Sequence, residues 1–168
     1  MAAAGQNWLI TGAAGALGSA IAKRLAQAGA TLVLLDKNQR GLTQLADELE
    51  ASSGTQPYLF PVDLAGATPE DYQRLAGAIQ EHLGELNGCL HAAAPFEGLA
   101  PLQQLPATQW WLGLQANLSA PFLMFRELIP LLTARNGRLL FFLDDLRLTS
   151  KAFWGTYVVS QWGMRALI

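Results

Sequence analysis

Three glycines with a regular spacing stand near the start of the chain. Gly12, Gly15 and Gly18 follow a short apolar run, and a helical pattern of apolar residues begins among them. Glycines let the backbone turn tightly and approach a pyrophosphate closely, and the free N–H groups of a helix N-terminus attract its negative charge. The stretch Asn7–Ala22 therefore predicts a phosphate cradle. The candidate contacts with a cofactor are Gly12, Gly15, Leu17 and Gly18.

Two acidic residues follow the next two apolar runs. Asp36 lies 18 residues beyond Gly18, where its carboxylate can accept both ribose hydroxyl hydrogens of adenosine and would repel a 2′-phosphate. This favours NAD(H) over NADP(H), although the neighbouring Lys37 is a cation that could partly compensate. Asp63 could reach the adenine, or it could simply cap the next turn, and the spacing alone leaves both interpretations open.

Apolar runs and helical patterns alternate along the whole chain. The runs are continuous, which is typical of strands buried on both faces of a parallel sheet. The alternation predicts a single α/β domain over residues 1–168, with a three-layer, Rossmann-like doubly wound parallel sheet. Ligands bind such sheets at the carboxyl ends of the strands. The predicted strands are 7–12, 31–35, 58–62, 88–93 and 137–143, and the predicted helices are 16–28, 37–52, 69–83, 109–134 and 156–168.

The composition limits the function classes. The chain has 168 residues, 51% of them hydrophobic, and a net charge of −2, which disfavours nucleic acid or an anionic membrane as partner. No apolar run approaches the ~20 residues of a spanning helix. The single Cys89 excludes an internal disulfide and suits a cytoplasmic location. We expect no metal site.

The chain resembles the short-chain dehydrogenases/reductases over essentially its whole length. The matching residues are Thr11-Gly12, Gly18, Asp36, Asp63-Leu64, Gln115-Ala116-Asn117, the strand 137–142, and Tyr157 at the start of the last helix. The resemblance implies a Rossmann-like fold, a nicotinamide dinucleotide, and hydride transfer to or from a small carbonyl or alcohol. It also implies a homodimer or homotetramer, assembled through the helices corresponding to 109–134 and 156 onward.

The catalytic set departs from that family. The resemblance implies an Asn, Ser, Tyr and Lys tetrad, of which Asn117 and Tyr157 match the first and third members. The serine position holds Asp144, and the lysine position holds Gln161. We therefore take Tyr157, Asn117, Asp144 and Gln161 as the candidate catalytic group.

Both changes act against the usual reaction. A tyrosine that works as an acid or base near pH 7 must lower its pKa from about 10, which a lysine ammonium promotes and the neutral Gln161 cannot. The Gln161 amide could still bind a nicotinamide ribose. An ionised Asp144 would raise the tyrosine pKa and repel a developing oxyanion, whereas an Asp144 protonated through burial could donate as serine does. Losing acid–base help costs ~10²–10⁴-fold in rate, so we expect impaired turnover.

Two further departures concern the cofactor wall and the end of the chain. The fourth strand reads His91-Ala92-Ala93-Ala94, where the family has Asn-Asn-Ala-Gly. We keep Ala92 as a cofactor contact and expect His91 to be a buried, hydrogen-bonded histidine. The sequence ends at Ile168, before the last strands and substrate loop of the relatives, so we expect a fragment or a shortened form with an exposed sheet edge.

Two functions remain open. The chain is either a divergent oxidoreductase or a non-catalytic NAD(H)-binding sensor or subunit, a pseudoenzyme, as Asp144 and Gln161 favour. A structural dimer that binds no nucleotide would leave Asp36 and the glycine turn unexplained.

Overall fold

The structure, a computed structural model, describes residues 3–145, 147 and 150–168. The strands are β1 (Asn7–Thr11), β2 (Thr31–Asp36), β3 (Tyr58–Pro61), β4 (Gly88–His91) and β5 (Arg138–Phe141). The helices are α1 (Ala16–Gln27), α2 (Gln39–Ser53), α3 (Pro69–Leu83), α4 (Ala107–Leu114), α5 (Ala120–Thr133) and α6 (Gly155–Leu167), with a 3₁₀ turn at Leu102–Gln104 and a π-helical segment at Gln115–Ser119.

All five strands are parallel, in the order β3-β2-β1-β4-β5. The chain begins in the centre of the sheet, builds outward to β3, and then crosses back to β4 and β5. This reversal beside β1 is the switch point at which a doubly wound sheet opens a crevice for a ligand. The predicted Rossmann-like α/β fold is confirmed.

Helices cover both faces of the sheet. On one face, α1 and α2 pack their buried side chains, among them Leu42, Leu45 and Leu49, against Ile10, Leu32 and Leu34. On the other face, α3, α5 and Met164 of α6 pack against Leu9, Val33 and Leu35. Adjacent strand residues thus alternate between two apolar layers, which is why β1 and β2 read as continuous apolar runs.

The strands near the second edge are shorter than predicted. We expected strands at 88–93 and 137–143, but β4 ends at His91 and β5 ends at Phe141. The two residues are partners in the ladder, so β5 ends where the described strand beside it, β4, ends. The Phe142 N–H still donates to the His91 carbonyl at 3.4 Å, and the apolar residues 142–143 lie beyond the paired strands.

The prolines in the long apolar stretch distort the helix but do not end it. Pro121 has no N–H to donate to the carbonyl of Asn117, four residues earlier, and the wider π-helical segment Gln115–Ser119 lies at this position. Prolines inside a helix bend it or end it, and here helical structure continues past Pro130 to Thr133. The distortion places Asn117 in a turn that is not α-helical.

The start of α3 follows its sequence signal. The Asp71 carboxylate accepts the Thr68 N–H at 2.7 Å and the Thr68 hydroxyl at 3.0 Å, and Pro69 occupies the first turn. Among the described residues no helix has both the length and the apolar character needed to cross a bilayer. The same residues contain no cluster of three or more His, Cys, Asp or Glu that could hold a metal.

Candidate active site

A cleft of about 290 Å³ opens at the carboxyl ends of the strands. Five of the seven residues predicted to bind the cofactor line it: Gly12, Gly15, Asp36, Asp63 and Ala92. The remaining lining residues are Leu35, Lys37, Val62, Leu64, Ala93, Ala94, Pro95 and Ala116. The sequence reasoning missed Val62, Leu64, Pro95 and Ala116, although each lies next to a residue that it named or at a strand end.

Glycines 12 and 18 are required by close backbone approaches. Gly12 has φ +66°, and a Cβ there would lie 2.7 Å from the Ala93 nitrogen at the end of β4. A Cβ on Gly18 would lie 2.2 Å from the Gly12 carbonyl oxygen. Gly18 is therefore buried beneath the turn and does not line the cleft, and its absence of a side chain lets α1 begin directly behind the turn.

The first turn of α1 offers free backbone donors. Gly15 is the N-cap, and its carbonyl accepts the Ser19 N–H at 2.9 Å. The N–H groups of residues 16–18 have no acceptor among the residues that the structure describes. Leu17 has an exposed side chain, so its part in the predicted cradle is its backbone N–H. This donor array, at a turn whose glycines permit close approach of the backbone, fits an anionic phosphate.

The Asp36 carboxylate is already hydrogen-bonded within the protein. Oδ2 accepts the Ala14 N–H at 3.0 Å, and Oδ1 accepts the Asn38 N–H at 2.9 Å. Asp36 thus ties the glycine turn to the start of α2. The prediction of a ribose-binding carboxylate did not include these two backbone hydrogen bonds, which leave each oxygen a further lone pair.

Asp63 and Ala92 also have backbone roles. The Asp63 Oδ1 accepts the Ala65 N–H at 3.1 Å, as the turn-capping interpretation requires, while the residue also lines the cleft. The Ala92 N–H donates to the Thr11 carbonyl at 3.2 Å. Both positions are thereby fixed relative to the central strands.

His91 is buried at the end of β4, next to Ala92 in the lining of the cleft. The ring is 6% exposed, its Nδ1 lies 2.8 Å from the Thr11 Oγ1, and its edges contact the rings of Phe125 and Phe141. Burial lowers the pKa of His91 to about 4. It is thus the neutral, hydrogen-bonded histidine that its position in β4 predicts.

The structure brings together three of the four predicted catalytic residues. The Tyr157 hydroxyl donates to the Asp144 Oδ2 at 2.5 Å, and the Asp144 N–H donates to the Gln161 Oε1 at 3.2 Å. Gln161 is buried on α6, one turn beyond Tyr157, while Asp144 lies exposed after β5. The exposure of Asp144 removes the burial on which the proton-donor alternative depends.

The environment of Tyr157 stabilises its protonated form. Partial burial raises the pKa of Tyr157 well above its usual range, and the hydrogen bond and charge of Asp144 raise it further. Among the described residues, no Lys or Arg lowers the Tyr157 pKa. Lys151, on the loop before α6, is exposed. The geometry therefore opposes the phenolate that the family tetrad favours.

Asn117 lies on the other side of Tyr157. Its Nδ2 donates to the Pro95 carbonyl at 3.0 Å, and its Oδ1 is buried without a partner among the described residues. Asn117 and Tyr157 both line a cavity of about 20 Å³ between α4, α6 and the loop after β4. The predicted catalytic group is thus divided between this cavity and Asp144.

Two aromatic residues next to Tyr157 were missed from the sequence. Phe96 contacts the Tyr157 ring edge-on at 5.2 Å between centroids, and Trp154 stacks on Phe96 at 5.3 Å. Phe96 follows β4 and Trp154 immediately precedes α6, so both stand at the strand-end side of the sheet where ligands bind. An aromatic residue after a predicted strand and another before a predicted helix were the signals in the sequence that could have identified them.

Comparisons with known proteins agree with the fold. The family model described as short chain dehydrogenase matches residues 6–168. The chain is 32% identical over 161 residues to the uncharacterized oxidoreductase YciK of Escherichia coli K12, a match that covers 95% of this chain. The chain spans 64% of the length of that relative.

Two similar solved structures correct the cofactor prediction. A short chain dehydrogenase from Shigella flexneri 2a, complexed with NADP, is 30% identical with a TM-score of 0.94, covering 99% of this chain and 70% of its own. One from Escherichia coli CFT073, complexed with NADPH, is 31% identical with the same TM-score and coverages. These complexes contradict the expectation that NAD(H) is favoured over NADP(H). Within this chain, Lys37 is a cation that lines the same cleft beside Asp36.

Proposed function

Because the chain belongs to the short-chain dehydrogenase family, we propose that it binds NADP(H) in the cleft at the glycine turn and serves as the cofactor-binding part of an oxidoreductase. The observation that carries the proposal is the cradle itself. The turn at Gly12 lies against β4, and the N–H groups at the start of α1 have no acceptor among the described residues. A pyrophosphate supplies the negative charge and the acceptors that these donors lack.

Lys37 is the residue that favours the 2′-phosphate of NADP(H). It lines the cleft directly beside Asp36. Because two backbone N–H groups already donate to the Asp36 carboxylate, its negative charge is partly compensated, and the Lys37 ammonium brings a positive charge to this end of the cleft. The pair thus accepts a phosphate that an unpaired carboxylate would repel.

In the cavity that Tyr157 lines beside the cleft, the chain's own residues determine which chemistry is available. Bound NADP(H) supplies or takes a hydride. Tyr157 holds its proton against the Asp144 carboxylate, and Gln161 holds the Asp144 backbone in place. The substrates implied by the family are a small carbonyl or alcohol, and Tyr157 is the proton-carrying group nearest to them.

A non-catalytic NADP(H)-binding subunit is the second candidate function, and the Tyr157–Asp144 hydrogen bond is the observation that favours it. The phenol proton is directed to a carboxylate, and no ammonium stands at the Gln161 position. We include in the same proposal a homo-oligomeric assembly, a cytoplasmic location, and the role of residues 1–168 as one dinucleotide-binding domain.

Calorimetric titration with NADPH and NADH tests the shared part of both candidates. We expect NADPH to bind more tightly than NADH, and Lys37→Glu to remove that difference. The matched control is Lys151→Glu, which makes the same charge change at an exposed lysine outside the cleft. The absence of heat with both dinucleotides would contradict both candidates.

Turnover separates the two candidates. The protein is incubated with NADPH and each member of a panel of aldehydes and ketones, and the oxidation of NADPH is followed by its absorbance. Turnover that Tyr157→Phe abolishes supports the oxidoreductase, whereas tight NADPH binding without turnover across the panel supports the non-catalytic subunit.

A further inference from the structure

Two of the side chains that line the small cavity beside Tyr157 already donate hydrogen bonds within the protein. The Tyr157 hydroxyl donates to Asp144, and the Asn117 Nδ2 donates to the Pro95 carbonyl. A carbonyl group, which only accepts hydrogen bonds, therefore finds these two donors already in use.

Two buried oxygens at the same cavity are unpaired in the described part of the chain: an amide oxygen, which only accepts hydrogen bonds, and a threonine hydroxyl, which can accept as well as donate. The Asn117 Oδ1 and the Thr156 Oγ1 have no hydrogen-bond partner among the described residues, although the two side chains are only 4% and 8% exposed. Both residues line the cavity. An unpaired buried oxygen is costly, so a ligand that donates hydrogen bonds gains free energy here beyond its own contacts.

The charge at the cavity is negative. Glu97 lines it, and no Lys or Arg is among its described lining residues. Asp144, which holds the Tyr157 proton, has no Lys or Arg partner within 4 Å in the described part of the chain. A ligand that brings a positive charge is therefore attracted from two sides.

Aromatic rings stand at the mouth of the cavity. Phe96 and Tyr157 line it, and Trp154 stacks on Phe96. Phe96 is 47% exposed, so part of its ring remains open to a ligand. Aromatic faces attract cations and also cover an apolar stem.

We propose that this cavity binds the protonated amino group of a primary amine with an apolar stem. Its volume of about 20 Å³ holds one group the size of a water molecule, which is the size of an ammonium head. The ammonium donates to the Asn117 Oδ1 and the Thr156 Oγ1, Glu97 balances its charge, and the stem lies against Phe96. The inference rests on the proposed function only in taking this cavity as the substrate end of the site.

Binding of benzylammonium chloride and of benzyl alcohol, followed by NMR titration of the full chain, tests this inference. The two probes share a stem and differ in charge and donor number. We expect benzylammonium to bind about tenfold or more tightly than benzyl alcohol, with the largest shifts at residues 96, 117 and 156. Equal affinity for the two probes, or shifts outside the cavity, overturns the proposal and leaves an ordered water as the partner of the two oxygens.

Variants separate the contributions. Thr156→Val removes the oxygen with little change in shape, and Glu97→Gln removes the charge, and we expect each to weaken benzylammonium binding several-fold while benzyl alcohol is unaffected. Glu81→Gln, at an exposed position of α3, is the matched charge control. Unchanged benzylammonium affinity in both site variants overturns the proposal.

NADPH titration of the same samples keeps the two proposals distinguishable. Amine binding without NADPH binding supports this inference and contradicts the proposed function. NADPH binding without any preference for the amine supports the proposed function and contradicts this inference.

Discussion

The Tyr157 hydroxyl donates a hydrogen bond to the Asp144 Oδ2 at 2.5 Å. The hydrogen bond joins the residue that opens the last helix to the residue that follows the last strand. Gln161 stabilises the arrangement from beneath, because its Oε1 accepts the Asp144 N–H. The phenol proton is therefore held at the point where the family places a serine hydroxyl, and the acid–base properties of Tyr157 depend on a neighbouring carboxylate.

Replacing that carboxylate changes the titration of Tyr157. In Asp144→Asn we expect phenolate absorbance to appear at lower pH than in the wild type, since the charge and hydrogen bond that raise the Tyr157 pKa are weakened. Because the folded-state pKa is raised above the ordinary value of about 10, the associated stability is complete below pH 10 and declines above it. Asp144→Asn should therefore make unfolding less sensitive to pH above 10. Asp145→Asn, at the adjacent acid, is the control, and an identical titration in Asp144→Asn would contradict the assignment.

Restoring the family tetrad should restore its chemistry. In the double variant Asp144→Ser, Gln161→Lys, we expect NADPH-dependent carbonyl reduction to appear or to rise about 10²-fold, because the serine donates to the oxyanion and the ammonium lowers the Tyr157 pKa. Adding Tyr157→Phe should remove the gain. Efficient reduction by the unaltered chain, lost on Tyr157→Phe, would show that Asp144 and Gln161 do not impair catalysis.

The sequence predicts the sheet and most of the cleft because both follow from local patterns. Continuous apolar runs mark buried parallel strands, and the strand ends place Gly12, Asp36 and Asp63 at one edge. The hydrogen bonds that a side chain makes after folding are harder to predict from the sequence. The Ala14 N–H that occupies Asp36 is 22 residues away, and the Gln161 oxygen under Asp144 is 17 residues away. Those contacts depend on how the helices dock, and the sequence predicted NAD(H) from the position and charge of Asp36.

Gly18→Ala tests the geometry of the turn. Its Cβ would lie 2.2 Å from the Gly12 carbonyl oxygen, so we expect the turn to be displaced, NADPH affinity to fall at least tenfold, and thermal stability to decrease. Gly77→Ala is the control, because a Cβ at this exposed position of α3 meets no atom within 4 Å. It should stabilise the fold by about 0.5–1 kcal/mol and leave NADPH binding unchanged. Normal binding by Gly18→Ala would show that the turn is not tightly packed.

Asp36 should prove to be more important for stability than for ribose binding. Asp36→Ala leaves the Ala14 and Asn38 N–H groups without their acceptor, and we expect it to lower the free energy of unfolding in urea by about 1–3 kcal/mol. Asp36→Asn keeps one side-chain oxygen, so its loss should be smaller, and the removal of a negative charge should strengthen NADPH binding relative to NADH. Full stability of Asp36→Ala would contradict the structural role.

His91 should make the fold sensitive to acid. Burial lowers its pKa to about 4, whereas the unfolded chain takes up the proton near 6.5, so the stability it contributes is complete above pH 6.5 and is lost as the pH falls toward 4. One proton corresponds to a slope of about 1.4 kcal/mol per pH unit in that window. In His91→Asn, which keeps a polar partner for Thr11, we expect the free energy of unfolding to fall less steeply between pH 6.5 and 4 than in the wild type. His82→Asn, which removes the exposed histidine of α3, should retain the wild-type slope. Parallel pH profiles for the wild type and His91→Asn would show that the buried ring does not govern acid unfolding.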